Sequence, residues 1–197
     1  MMSATPADFI TVVSGLPRSG TSLMMQMLHA GGMPVVADGL RAADADNPRG
    51  YLELEAVKKL KDNAAWLSSA RGHAVKVISM LLYELPAAHS YRVIFMDRDM
   101  TEILASQREM LVRRGVSTPD AEDVAMRQHM ERHLEKVLAW LAARPNFRVL
   151  RCRYAELVHA PGEQIRRITD FLGLSLDEAA MRLAVDPTLH RNRTRTT

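Results

Sequence analysis

The stretch from Thr11 to Leu28, TVVSGLPRSGTSLMMQML, limits what this chain can fold into more than any other. It opens within an apolar, β-branched run, Phe9-Ile-Thr-Val-Val13, of the kind that forms a strand buried on both faces of a parallel sheet. Gly15-Leu-Pro-Arg-Ser-Gly-Thr-Ser22 comes next, and then a helical pattern from Ser22 to His29 with Leu23, Met24, Met27 and Leu28 on one side. Ala30-Gly-Gly32 is a stop signal. Strand, glycine loop and helix converge backbone N–H groups and a helix N-terminus on one place, which favours an anion.

The spacing of Gly15 and Gly20 matches the phosphate-loop pattern G-x-x-x-x-G-K-[ST] up to its lysine. Thr21 stands where a nucleotide-hydrolysing enzyme keeps that lysine, and the basic residue comes earlier, at Arg18. The hydroxyls of Ser19, Thr21 and Ser22 beside Arg18 have little packing value, so the loop reads as a phosphate site that need not be an ATP site.

Further strand signals are Ala74–Ser79, which carries Lys76, then Tyr91–Met96 and Phe147–Cys152, with a shorter one over Met33–Ala37. Helical patterns cover Leu52–Ala70, a segment from about Thr101, a long segment from Ser117 to about Ala143, Pro161–Leu172 and Leu176–Leu183. Met126, Met130, Leu134, Val137, Leu138 and Leu141 mark the buried stripe of the long helix. This alternation predicts an α/β protein: a three-layer, P-loop-like fold with a central parallel sheet flanked by helices. A single domain over residues 1–197 is expected, with a basic tail over about 186–197 read as disordered.

The net charge of +3 suits an anionic small ligand and does not by itself argue for nucleic acid. One cysteine, Cys152, excludes an internal disulfide and favours a reducing compartment. No run approaches the length of a membrane span, and MMSATPADF lacks the features of a secretory leader, so a cytoplasmic protein is expected. His129 and His133 stand four apart on a helix face, but H-M-E-R-H is not a zinc motif and no third ligand is suggested; no metal is expected. The methionines of the first helix read as adaptable core packing.

Ligands of open α/β sheets bind beyond the carboxyl ends of the strands. Arg98 follows the Tyr91–Met96 strand, and Ser106 comes eight residues later, early in the next helix. A guanidinium fork and a hydroxyl suit a second phosphate. Tyr154 follows the Phe147–Cys152 strand, a ring that a base can contact. A loop for one anion, an Arg-Ser pair for another and a ring nearby describe a nucleotide with two separated phosphates.

In this combination the chain resembles the sulfotransferases that use 3′-phosphoadenosine 5′-phosphosulfate (PAPS). Pro17-Arg-Ser-Gly-Thr-Ser22 looks like their 5′-phosphosulfate loop, and Arg98 and Ser106 in RDMTEILAS look like their 3′-phosphate motif. Arg153-Tyr-Ala-Glu-Leu157, then Pro161 and Phe171-Leu-Gly173, is similar to the family's YEDL…P…FLG stretch. The resemblance implies a donor site of Pro17, Arg18, Ser19, Gly20, Thr21, Ser22, Arg98, Ser106 and Tyr154, with Tyr154 at the adenine. It also implies PAPS as sulfuryl donor, no metal, and a small-molecule or side-chain hydroxyl, or an amine, as acceptor.

Two family features are missing. Lys76 is followed by Val77-Ile78-Ser79, without the histidine of the cytosolic members' K-x-H-L-P motif, and the basic C-terminal glycine motif is absent; the tail arginines Arg191, Arg193 and Arg195 either replace it or are plain disorder. A carboxylate is a workable base in place of histidine. Asp38 comes first. Together with Arg41 it falls close to a catalytic glutamate and arginine of the tyrosylprotein branch, though one residue off the glutamate's position, which is Gly39. Glu53 comes second, after Asn47-Pro-Arg-Gly-Tyr51, a segment similar to one in some bacterial sulfotransferases. Each has a plainer role open to it, as a turn cap or a helix-start charge, and Lys76 has one as an edge-strand gatekeeper. A small-molecule kinase and a non-catalytic nucleotide-binding protein of the same fold remain the alternatives.

Overall fold

The computed structural model describes residues 7–44, 47, 50–113, 115–116 and 120–186. Four parallel strands form its sheet: β1 (Ile10–Gly15), β2 (Ala74–Lys76), β3 (Tyr91–Asp97) and β4 (Phe147–Arg153), in the order β2-β1-β3-β4. All six residues of β1 are buried, as a central strand between two helical layers requires. Its alternation then assigns side chains to the two layers. Val13 joins Ile94, Met96 and Cys152 against helices α1 (Thr21–Ala30), α4 (Tyr154–His159), α5 (Pro161–Leu172) and α6 (Glu178–Leu183). Ile10 and Val12 join Val75, Val93, Phe95 and Phe147 on the other face. That face is covered by Val137 and Leu141 of the long helix, Asp120–Ala142, and by 3₁₀ turns carrying Val57, Leu67 and Leu82. The methionines Met24, Met25 and Met27 are fully buried core residues. A helix over Met100–Arg113 lies apart from both layers, packing Met100, Ile103 and Leu104 on Leu16 and Met130. In chain order this helix is α2, and the long one is α3.

Register is what brings the strand ends together. Gly15 pairs with Met96, Asp97 with Arg153, and Val13 with Lys76. The residues that follow β1, β3 and β4 therefore leave the sheet at one edge. The chain passes from β1 to β2 on one side and then to β3 on the other, which puts the topological switch point between β1 and β3. A ligand crevice is expected there, at the phosphate-type loop and Arg98.

Four expectations need correction. The segment 52–70 is not one helix. It is two 3₁₀ turns, Glu55–Lys59 and Ala65–Ala70, interrupted where Asp62 and Asn63 both donate to the Lys59 carbonyl and Asn63 Oδ1 accepts from Ala65 N–H. The apolar spacing was real, since Val57, Leu60 and Leu67 are buried, but short turns satisfy it as well as a helix does. Met33–Ala37 makes only an isolated bridge, Val35 to Ala74, beside a proline that has no N–H to extend a ladder. Strand β2 stops at Lys76, and Ser79–Glu84 turns into a 3₁₀ segment. Met126 is exposed, because it lies one turn before Met130, where α3 first packs on Leu16 and α2. Ser117-Thr-Pro119 and the tail arginines Arg191, Arg193 and Arg195 lie outside the described residues.

Arg92 of β3 ties strand to helix. Its Nη1 donates to the Phe171 carbonyl at 3.0 Å and to the Leu172 carbonyl, where α5 ends in a left-handed Gly173. The guanidinium also covers the Phe9 ring at 4.0 Å. Arg92→Ala leaves the last carbonyls of α5 without this donor and is expected to cost about 1–2 kcal/mol, read as a lower midpoint in urea unfolding.

Candidate functional site

The loop after β1 takes its shape from two glycines and one strained arginine. Gly15 has φ 147°, and a Cβ there would lie 2.7 Å from the Met96 carbonyl oxygen. Gly20 has φ 102°, and its Cβ would stand 2.4 Å from Cδ2 of Tyr154. Between them Arg18 adopts φ 71°, a left-handed conformation that non-glycine residues rarely hold. Gly20 is the N-cap of α1 and has no capping side chain, so the first N–H groups of α1 are left to an incoming acceptor of hydrogen bonds. Ser19 Oγ is buried without a partner beneath the loop. Gly20→Ala, which would drive a methyl into the Tyr154 ring at a positive φ, is expected to lower stability by about 1–3 kcal/mol. Thermal unfolding checks it.

Residues distant in sequence close on this loop. Arg18 Nε donates to Ser106 Oγ at 2.9 Å, across to α2. Arg98 Nη1 donates to the Arg18 carbonyl at 3.0 Å, while its Nε pairs with Glu102 at 2.9 Å, both side chains nearly buried. The Arg98 guanidinium lies 4.5 Å from the Tyr154 ring centroid. Tyr154 is thus packed between Gly20 and Arg98, a buried support of the loop as well as a wall of the cleft.

That cleft has a volume of about 440 Å³. Pro17, Arg18, Gly20, Thr21, Ser22, Arg98, Ser106 and Tyr154 line it, along with Glu53 and Lys76. Of the residues singled out in the sequence, Ser19 lies under the loop and Asp38 lies elsewhere. Asp38 is exposed, and its carboxylate accepts from the backbone N–H of Leu40 at 3.0 Å and of Glu55 at 2.6 Å. It caps the turn that begins at Glu55, and these backbone donors hold its carboxyl below the usual range.

Of the two candidate bases, Glu53 is the one that lines the cleft. Its Oε1 lies 2.7 Å from Lys76 Nζ, and its Oε2 lies 3.0 Å from Arg41 Nη1. Burial pushes this carboxyl up, but the hydrogen bonds and charges of Lys76 and then Arg41 outweigh it, and Glu53 sits below the ordinary glutamate value. Lys76 also donates to Ser22 Oγ at 2.9 Å, and its side chain is only 6% exposed. Burial lowers its pKa from the ordinary lysine value despite the opposing pull of Glu53, with Arg41 and Arg18 adding to the fall. Although β2 is an edge strand, Lys76 points into the cleft and does not guard the edge.

Several residues of the cleft had no clear sequence signal. Tyr51 carries the Arg41 guanidinium 3.4 Å above its ring, lies 5.6 Å from Lys76 Nζ, and donates to Asp44 Oδ1 at 2.7 Å. Gln26 of α1 donates to the Gly50 carbonyl at 2.8 Å and ties this loop down. Glu102 pairs with Arg98, which stands in the link between β3 and α2 before the helix begins, so no helix-face spacing announces the pair. Pro48 and Arg49 lie outside the described residues. Among the described residues, no cluster of three His, Cys, Asp or Glu is placed to hold a metal, and His133 Nε2 lies 2.9 Å from Ser79 Oγ. No helix among them is long and apolar enough to cross a membrane.

Comparison with solved structures finds the same fold at low identity. The sulfotransferase domain of the olefin synthase from Synechococcus PCC 7002 is 16% identical, with a TM-score of 0.54 over 98% of this chain and 91% of that one. A sulfotransferase from Mycobacterium avium is 17% identical, with a TM-score of 0.54 over 98% of this chain and 70% of its own. The sulfotransferase domain of the curacin biosynthetic pathway is 15% identical, with a TM-score of 0.54 over 98% and 94%. No curated protein matches the chain in sequence. The model of the sulfotransferase family matches residues 49–178, from the loop before Glu53 through Lys76, Arg98, Ser106 and Tyr154 to the start of α6. That match spans well over half of the 197 residues, so the chain belongs to the sulfotransferase family, and its activity is sulfuryl transfer.

Proposed function

We propose that the sulfuryl donor is PAPS, bound with its phosphosulfate end on the Pro17–Ser22 loop and its second phosphate toward Arg98 and Ser106. The observation that carries this reading is the meeting of Arg18, Arg98 and Ser106, which are 80 and 88 residues apart in sequence and hydrogen-bonded around one loop. The loop fits such a group. Its left-handed Gly20 leaves the α1 N-terminus bare toward the cleft, and two further cations, Lys76 and Arg41, face the same space.

PAPS supplies an activated sulfuryl group whose leaving oxygen belongs to a phosphate. What the chain contributes is positioning and charge. Thr21, Ser22 and the first N–H groups of α1 hold the 5′-phosphate. Arg18 stabilises the charge that collects on the bridging oxygen as its bond to sulfur breaks. Glu53 accepts the proton of the acceptor hydroxyl as that oxygen bonds to sulfur. The carboxylate earns this role over Asp38 because it lines the cleft, whereas Asp38 is spent on a turn. Leu54, Val57, Ile78 and Leu81 line the acceptor side beside Glu53, a wall suited to an apolar body carrying the hydroxyl.

Calorimetric titration with adenosine 3′,5′-bisphosphate and with ATP tests the donor. The bisphosphate is expected to bind more tightly, with no dependence on magnesium. Tighter, magnesium-dependent binding of ATP would overturn the assignment in favour of a kinase.

A further inference from the structure

We propose that Lys76 couples the two halves of the cleft: it holds Glu53 while the donor site is empty and exchanges Glu53 for the donor's sulfuryl oxygens when the donor binds, so that the base is released only on a donor-loaded enzyme. This rests on the donor and base assignments above and adds an order of events to them.

The geometry is a bridge. Lys76 Nζ touches Ser22 Oγ at 2.9 Å and Glu53 Oε1 at 2.7 Å. Ser22 is the second residue of α1, so its hydroxyl stands at the helix end where an anion is favoured. Glu53 stands on the acceptor side. One nearly buried ammonium therefore joins the place where negative charge arrives to the carboxylate that must take up a proton. An ammonium has three donors on a flexible stem and can turn from one anion to another without moving the backbone.

As it stands, Glu53 is a poor base. Lys76 occupies its inner oxygen, and Arg41 donates to both oxygens, at 3.2 Å and 3.0 Å. These two cations hold its proton affinity down. The other groups around it do not compete for this role. Arg41 is stacked on Tyr51 at the mouth and is far more exposed than Lys76. Lys58 is paired outward with Glu55 at 2.7 Å, and Asp38 faces the backbone of residues 40 and 55. Arg18 adds its charge to the field at Lys76, but its Nε is engaged with Ser106 Oγ at 2.9 Å. Lys76 is thus the cation that both sides share. When a negative group reaches Ser22, the pull on Lys76 weakens its hold on Glu53. The same negative charge then raises the proton affinity of the carboxylate. Both changes make Glu53 a better base, and both require the donor first.

The test reads protons and does not need turnover. PAPS, without acceptor, is titrated into the protein by calorimetry in two buffers of different ionisation enthalpy, which gives the protons exchanged per donor bound. The PAPS phosphates contribute their own protons, so the quantity that matters is the difference between wild type and Glu53→Gln at one pH. Wild type is expected to take up more, by up to one proton per donor bound, in the mildly acidic range. Lys76→Met, in which Glu53 has lost that partner beforehand, is expected to shrink the difference. With adenosine 3′,5′-bisphosphate, which lacks the sulfuryl group, the difference between wild type and Glu53→Gln is expected to be smaller than with PAPS. Equal proton counts for wild type and Glu53→Gln, with PAPS bound to both, would overturn the coupling and leave the donor assignment standing. Failure of PAPS to bind wild type would overturn both.

Discussion

Arg18→Ala is expected to lower kcat/KM for sulfuryl transfer by about 10²–10³-fold, the usual cost of removing one donor aimed at developing charge. Adenosine 3′,5′-bisphosphate should bind more weakly too, but by a smaller factor, because the charge Arg18 answers grows on the bridging oxygen only as the bond to sulfur breaks. The variant should fold. Arg18 gives up its side-chain hydrogen bond to Ser106, while the Arg18 carbonyl still accepts from Arg98. The left-handed φ of 71° is no easier for alanine than for arginine, so the small stability loss expected comes from the lost side-chain contacts. Steady-state kinetics beside a bisphosphate titration separate the two effects. A kcat/KM within a few-fold of wild type would remove Arg18 from the transition state.

Glu53→Gln is expected to cost about 10²–10⁴-fold in turnover, the range for a positioned general base, with donor binding retained. Its pH dependence has a definite sign. The base must be ionised, and Lys76 and Arg41 hold the Glu53 carboxyl below the ordinary glutamate value. The wild-type rate on donor and free enzyme should therefore stay level through neutral pH and fall only at acid pH, as Glu53 takes on a proton. Glu53→Gln should lack that limb. Linkage runs the same way for stability. A depressed folded-state pKa means that Glu53 contributes stability above the unfolded glutamate range and loses it as pH falls through the folded value. Wild type and variant should thus differ most in stability near neutral pH and converge in acid. Asp38→Asn is the contrast. It disturbs the cap at Glu55 and should leave the shape of the pH–rate profile alone. An unchanged turnover in Glu53→Gln would take the base away from this residue.

The two carboxylates show where a sequence stops being readable. Asp38 and Glu53 are both acids in a polar, turn-rich stretch, and nothing in their neighbours ranks Glu53 first. The backbone ranks them. Asp38 lies where two N–H groups can reach it, while the path through Leu52, at a positive φ of 47°, delivers Glu53 beside Lys76. The segment 52–70 is a second case. Its spacing of Val57, Leu60 and Leu67 reports which residues are buried, and that was correct, but burial along short 3₁₀ turns produces much the same spacing as a helix. Gln26 was out of reach and Tyr51 was marked only through the similarity of its segment, because their contacts depend on a loop folding back over α1.

The donor half was legible for a physical reason. A phosphate loop needs its glycines, hydroxyls and helix start in one local run, so Gly15 to Ser22 declares itself in a few residues. Arg98, Ser106 and Tyr154 follow strands that β-branched and aromatic runs already mark, and a parallel sheet sends all such ends to one edge. By itself, then, the sequence determined the α/β class, the anion loop and the family resemblance. The tertiary structure alone decided how the halves meet. Parallel register set Lys76 beside Val13, within reach of both Ser22 and Glu53. That bridge is made of residues 23 and 54 positions apart, and such separations are closed by packing and register, which no local pattern records.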